Sequence, residues 1–124
     1  NTRMKQTMQT MDNGRGLHFT TRNGYVVSIG IGGGHYSDNH HKRFDEPCDE
    51  TSTMEVAIMR HKDNPDYNPK HNCDFVCLPN DVAGYIPVGR MSEIIAMVEA
   101  SAWPQVCLLC NESDEDESKF PRKD

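Results

Sequence analysis

LHFTTRNGYVVSIGI, residues 17–31, decides the fold. Leu17, Phe19 and Thr21 alternate with polar neighbours, the period-two pattern of a strand with one buried face. Arg22-Asn23-Gly24 follows, and Asn-Gly tolerates the positive φ that a tight hairpin demands. Tyr25 to Ile31 is the returning strand, rich in valine and isoleucine. A parallel pair needs a crossover of about a dozen residues or more, so this pair is antiparallel.

Working downstream, Thr53 to Arg60 reads as a third strand with Val56 and Ile58 on one face. Asp74 to Leu78 reads as a fourth, and Val82 to Ile86 as a short fifth. Met91 to Trp103 is the clearest helix: Met91, Ile94, Ile95, Val98 and Ala102 form one apolar stripe. Pro104 is expected to end it. Val106 to Cys110 is expected as a last short strand. Upstream, Met4, Met8 and Met11 recur at helical spacing, so residues 1–14 read as a short helix or a frayed arm. Residues 40–52 and 61–72 carry prolines and charge without periodicity and read as loops. The expected fold class is α+β: an antiparallel sheet of about five strands with one main C-terminal helix packed on a face. One domain spans residues 1–110, and an acidic, disordered tail spans 111–124.

Composition limits the function. The 124 residues are 35% hydrophobic and carry a net charge of −6. A chain this polar gains from burying more surface in a homo-oligomer. Acidity argues against DNA or RNA, which need a broad basic face. No apolar run is long enough for a membrane span. Five cysteines, an odd number, without a visible signal sequence read as reduced thiols in a cytoplasm.

The stretch NGYVVSIGIGGGHYSDN, residues 23–39, places four glycines between Gly30 and Gly34. It is neither a phosphate loop, since no Lys-Ser or Lys-Thr follows, nor a dinucleotide fingerprint, since His35 stands where the third glycine belongs. Two readings stay open: a bend at a strand end, or a loop contacting ligand. Cys107 and Cys110, with His71, Cys73 and Cys77, have the residue types of a zinc site, but their apolar setting reads as buried free thiols. No metal and no cofactor is expected, and no nucleophile–base pairing marks a catalytic site.

The candidate binding residues follow from residue type. Arg60 ends a strand and Arg90 opens the best helix, both positions suited to gripping phosphate. Tyr36, Phe75 and Tyr85 are suited to stacking on a base or ribose. Asn39 and Met91 complete the set. The plain alternative is that Phe75 belongs to the core and both arginines are solvated.

Three segments, NGYVVSIGIGGGHYSDN, STMEVAIMR and DVAGYIPVGRMSEIIAMVEAS, together resemble the Thoeris anti-defence family of the first type. The likeness is one of layout over about residues 16–102: a glycine-bearing strand pair, a third strand and an acidic turn before a helix. The resemblance implies a phage protein in the host cytoplasm that is not an enzyme. It would hold a small cyclic nucleotide of the glycocyclic ADP-ribose class, or a cyclic oligonucleotide, without cleaving it. It further implies a homo-oligomer, dimer to hexamer, with pockets between subunits. A different reading takes the acidic tail around Asp114, Glu115 and Asp116 as the active surface of an inhibitor that occludes a host defence protein.

Overall fold

The computed structural model describes residues 3–111. The chain runs β1 (Thr7–Thr10), β2 (Gly16–Thr20), β3 (Tyr25–Gly30), β4 (Thr53–Arg60), β5 (Val82–Pro87), α1 (Met91–Glu99) and α2 (Trp103–Leu109). Single 3-10 turns lie at Asp12–Gly14 and Val88–Arg90. The strands form one five-stranded sheet in chain order, antiparallel throughout. The α+β class expected from the sequence is the one observed.

The hairpin closes as its sequence demands. Leu17 lies opposite Ile29 and Phe19 opposite Val27. The Thr21 amide donates to the Tyr25 carbonyl at 2.8 Å, and Gly24 takes φ +90, where a Cβ would be strained. Paired residues share a face of a sheet, so Val27, Ile29, Ile58, Val56 and Met54 form one buried surface. The fully buried Ile94 and Val98 of α1 and Val106 of α2 pack into the same core. Tyr25 meets Trp103 edge-to-face at 4.9 Å, joining the hairpin to the start of α2.

The turn of the hairpin is also tied to the end of α1. Asn23 Nδ2 donates to the Val98 carbonyl at 2.7 Å, and Glu99 accepts from the Arg22 amide at 2.8 Å. Gln6 Nε2 donates to both oxygens of the same Glu99, at 2.9 and 2.7 Å.

Four local expectations need correction. Residues 4–11 do not form a helix: the exposed β1 pairs with β2, and Met8 lies opposite Phe19. Asp74 to Leu78 is not a strand. It makes a single bridge, Met59 to Phe75, because β5 takes the first part of the same β4 edge and Cys77 turns the chain at φ +75. The helix does not continue to Trp103. Ser101 adopts φ +53, its amide bonds the Val98 carbonyl at 3.0 Å, and the Ala102 amide bonds Met97 at 2.9 Å. That pair of bonds is the Schellman end of a helix, with serine in the place usual for glycine. Val106 to Cys110 is not a strand either: Val106 and Leu109 are buried at helical spacing while Cys107 and Leu108 face outward. Pro104 sits in the first turn of α2 and starts that helix, its missing N–H costing nothing there.

Only Asn111 of the expected acidic tail falls among the described residues; Asp114, Glu115 and Asp116 lie outside them. Among the described residues no helix is long and apolar enough to cross a membrane.

Candidate ligand-binding site

The loop that leaves β3 folds back over the end of the sheet. Gly30 allows this, since a Cβ there would collide with the His35 ring. At Gly33 a Cβ would meet the carbonyls of Lys42 and Arg43. The glycine run is therefore a strand-end bend approached closely by the chain's own residues. The β-bulge lies elsewhere, in β5 between Ala83 and Ile86, where Tyr85 stands at φ +56.

Two anchors hold the loop against that bulge. His35 Nδ1 and Glu55 Oε1 are 2.9 Å apart, and the Tyr36 amide donates to Glu55 Oε2 at 3.2 Å. The Tyr85 amide donates to the Tyr36 carbonyl at 2.8 Å, and the Tyr36 Cβ occupies the space left by Gly84. The Tyr36 ring stacks on His40 with centroids 5.1 Å apart and planes at 11°. Tyr85 lies 6.2 Å from Tyr36. Both tyrosines remain open to solvent, Tyr36 at 47% and Tyr85 at 45%.

The surrounding polar groups fix this geometry. Burial works to raise the Glu55 carboxyl, but hydrogen bonds from His35 and the Tyr36 amide, with the charges of His35 and His40, outweigh it and hold it below its ordinary value. His18, on the same sheet face, is held below 6.5 by burial first and by His35 second. Asp38 accepts from Ser52 Oγ at 2.6 Å, Thr53 Oγ1 at 2.6 Å and the Ser52 amide at 2.8 Å, and these bonds lower its carboxyl. The loop is thus sewn to the start of β4.

No protein-family model matches this chain, and neither the curated proteins nor the solved structures contain a match to it.

Of the residues singled out by type, the structure brings Tyr36 and Tyr85 together. Asn39 lies beneath the loop and is buried; its Nδ2 reaches the carbonyls of Ile31 at 3.0 Å and Glu50 at 2.9 Å and the sulfur of Cys48 at 2.9 Å. Arg60 stands at the far end of β4, about 16 Å from Glu55 at ~3.3 Å per residue. Its Nη1 bonds both oxygens of the buried Asp74, at 3.3 and 3.2 Å. Phe75 is near it, half-buried and bridged to Met59 of β4. Arg90 is 5% exposed, and its Nη1 donates to the carbonyls of Leu109 at 3.0 Å and Asn111 at 3.4 Å, across the C-terminal end of α2. Met91 packs against the core. Neither arginine is a solvated cation: each is engaged in holding the fold.

Residue type alone did not single out His35, His40, Glu55 or Gly84 for this site. Only the bulge at Gly84–Tyr85, invisible in a short alternating strand, brings β5 up to the loop. The loop carries two cations among five carboxylates, Asp38, Asp45, Glu46, Asp49 and Glu50. Lys42 and Arg43 follow His40 and His41, and the Arg15 guanidinium lies 5.1 Å over the Phe44 ring. Arg43 pairs with Asp45 at 3.1 Å in full solvent, a contact too weak to commit it. Among the described residues no cluster of three or more His, Cys, Asp or Glu is arranged to hold a metal ion.

Proposed function

We propose that this protein binds and sequesters a small cyclic nucleotide signal of the glycocyclic ADP-ribose class without cleaving it, in the manner of the phage anti-defence proteins it resembles. The observation that carries the reading is the exposed aromatic pair Tyr36 and Tyr85, 6.2 Å apart on anchored backbone, with His40 stacked alongside. Exposed rings held this firmly are a stacking platform for a base, because every base offers a π-face. A base sandwiched between two rings needs about 7 Å, twice a carbon contact of ~3.5 Å, so a small outward swing of Tyr85 admits one.

The phosphates fall to Lys42 and Arg43 rather than to Arg60 or Arg90. A pyrophosphate needs only local cations, and Arg43 can exchange its solvent-exposed carboxylate for a phosphate fork. In the proposed assembly, a homo-oligomer, a second subunit closes over the exposed tyrosines.

Calorimetry with cyclic ADP-ribose isomers and with cyclic dinucleotides tests the reading. Binding at micromolar protein is expected, with intact ligand released on heating. No heat with any of these ligands defeats the proposal, and release of a cleaved product makes the protein an enzyme instead.

A further inference from the structure

Cys77 and Cys107 are separated by 30 residues of chain, yet their sulfurs are 3.2 Å apart. Against the buried thiols expected from the sequence, Cys107 is on the outward face of α2 and exposed. Cys73 is exposed too, and of Cys73, Cys77, Cys107 and Cys110, Cys110 alone is buried. Cys77 is half-buried in the segment between β4 and β5. Its backbone is unusual. The Leu78 amide donates to the Val76 carbonyl at 2.8 Å, closing a three-residue turn around Cys77 at φ +75. Turns of that kind are strained and rare for a residue with a Cβ, and persist where the surroundings demand them. Here the turn aims the Cys77 sulfur at α2, where it also lies 3.8 Å from the Trp103 carbonyl.

We propose that Cys77 and Cys107 are a modification site: on mild oxidation they form a reversible disulfide that clips α2 to the segment following β4. A disulfide requires sulfurs at about 2.05 Å, so from 3.2 Å the pair has only about 1 Å to close. With hydrogen peroxide as oxidant the step balances. The Cys107 sulfur attacks a peroxide oxygen and the O–O bond breaks, leaving a sulfenic acid and one water. The Cys77 sulfur then displaces the hydroxyl from the Cys107 sulfur, and its own thiol proton leaves with that hydroxyl as a second water. Two thiols are oxidised and one peroxide is reduced.

The environment sets the order of attack. Cys107 is exposed and Cys77 half-buried, so peroxide meets Cys107 first and Cys77 is the resolving thiol; burial also pushes the Cys77 thiol up. Cys110, one turn further along, is buried and also raised to about 12, chiefly by burial, which keeps it out of the exchange.

The test uses the reduced, folded full chain with hydrogen peroxide at about one equivalent, alkylation of remaining thiols, and peptide mapping without reductant. A Cys77–Cys107 cross-link is expected, removed by dithiothreitol, with the melting temperature about 10 °C higher in the oxidised form. Cys110→Ser should keep the cross-link, and Cys107→Ser should lose it and leave Cys77 open to alkylation. Cys107 recovered as a sulfinic acid beside a reduced Cys77, a Cys107–Cys110 bond, or mainly intermolecular bonds through the exposed Cys73 would each overturn the proposal. The mapping is done on the unsubstituted protein, so it decides even if a variant folds poorly.

Discussion

Tyr36 is where the functional reading is most exposed to test. Its amide, carbonyl and Cβ are all engaged by Glu55, Tyr85 and Gly84, so the backbone position does not depend on the ring. Tyr36→Ala should therefore lower affinity for a cyclic nucleotide by about 5- to 150-fold, the range of one base–aromatic stack, and leave the melting temperature within about 2 °C. Equal affinities by calorimetry would show that the ring is no platform. Tyr36 and Tyr85 were legible by residue type. Glu55 was not, because a lone carboxylate inside an apolar strand looks the same whether it faces water or anchors a loop. His18 supplies a second test at this scale. Its folded-state value lies below the ordinary 6.5, so the unfolded chain binds its proton more readily. The stability it contributes is full above 6.5 and is lost as pH falls from there through its folded value. Thermal melts should drop between pH 7.5 and 5.5, and the drop should shrink in His18→Gln. An unchanged slope in that variant would assign the pH dependence to groups other than His18.

Among the elements, the two helices show what a sequence pattern hides. The apolar stripe from Met91 to Ala102 runs across the break between α1 and α2, because the residue that ends α1 is Ser101 and not glycine. A serine at φ +53 carries a left-handed penalty of about 1 kcal/mol. Ser101→Gly should thus raise unfolding free energy by about 0.5–1 kcal/mol in urea, even after losing the Ser101 Oγ acceptor that Asn23 reaches at 3.2 Å. A loss of stability would mean that the Asn23 contact outweighs the backbone strain. Arg90 belongs to this scale too. It opens α1 as the apolar pattern indicated, but its charge faces the carbonyl end of α2, where a cation is favoured by the helix dipole. That role could not be read from the chain, since α2 itself was hidden in an apolar run of Val, Cys and Leu. Arg90→Met should cost about 2–3 kcal/mol, because buried carbonyl acceptors lose a charged donor, and should leave ligand affinity of the folded fraction unchanged. Loss of binding without loss of stability would return Arg90 to the ligand site.

The described residues form a meander with both helices on one side, and that asymmetry follows from residues 17–31. Once Leu17, Phe19, Val27 and Ile29 face one way, a sheet in chain order must put Val56, Ile58 and Ile86 beside them, and the apolar stripe of α1 has one place to go. The antiparallel sense and the covered face were legible for this reason; the count of about five agrees only because the unexpected β1 replaces the strand expected at 74–78. What escaped was set by competition for space: β5 and residues 74–76 share one edge of β4, so only one of them becomes a full strand. The opposite face carries His18, Ser28, Ala57, Met59 and Val82, a mixed set with Met59 and Val82 half-exposed. Adjacent residues of β4 therefore report on the two faces directly. Ile58, fully buried under the helices, should lose about 3–4 kcal/mol on Ile58→Ala through transfer and cavity terms. Met59→Ala, one residue along on the other face, should cost less, about 2 kcal/mol in a dilute monomer, since its side chain is only partly buried. The ratio matters more than either value. If Met59→Ala proves as costly as Ile58→Ala at low protein concentration, then the second face is covered in solution, and a cost that falls on further dilution identifies another copy of the chain as the cover.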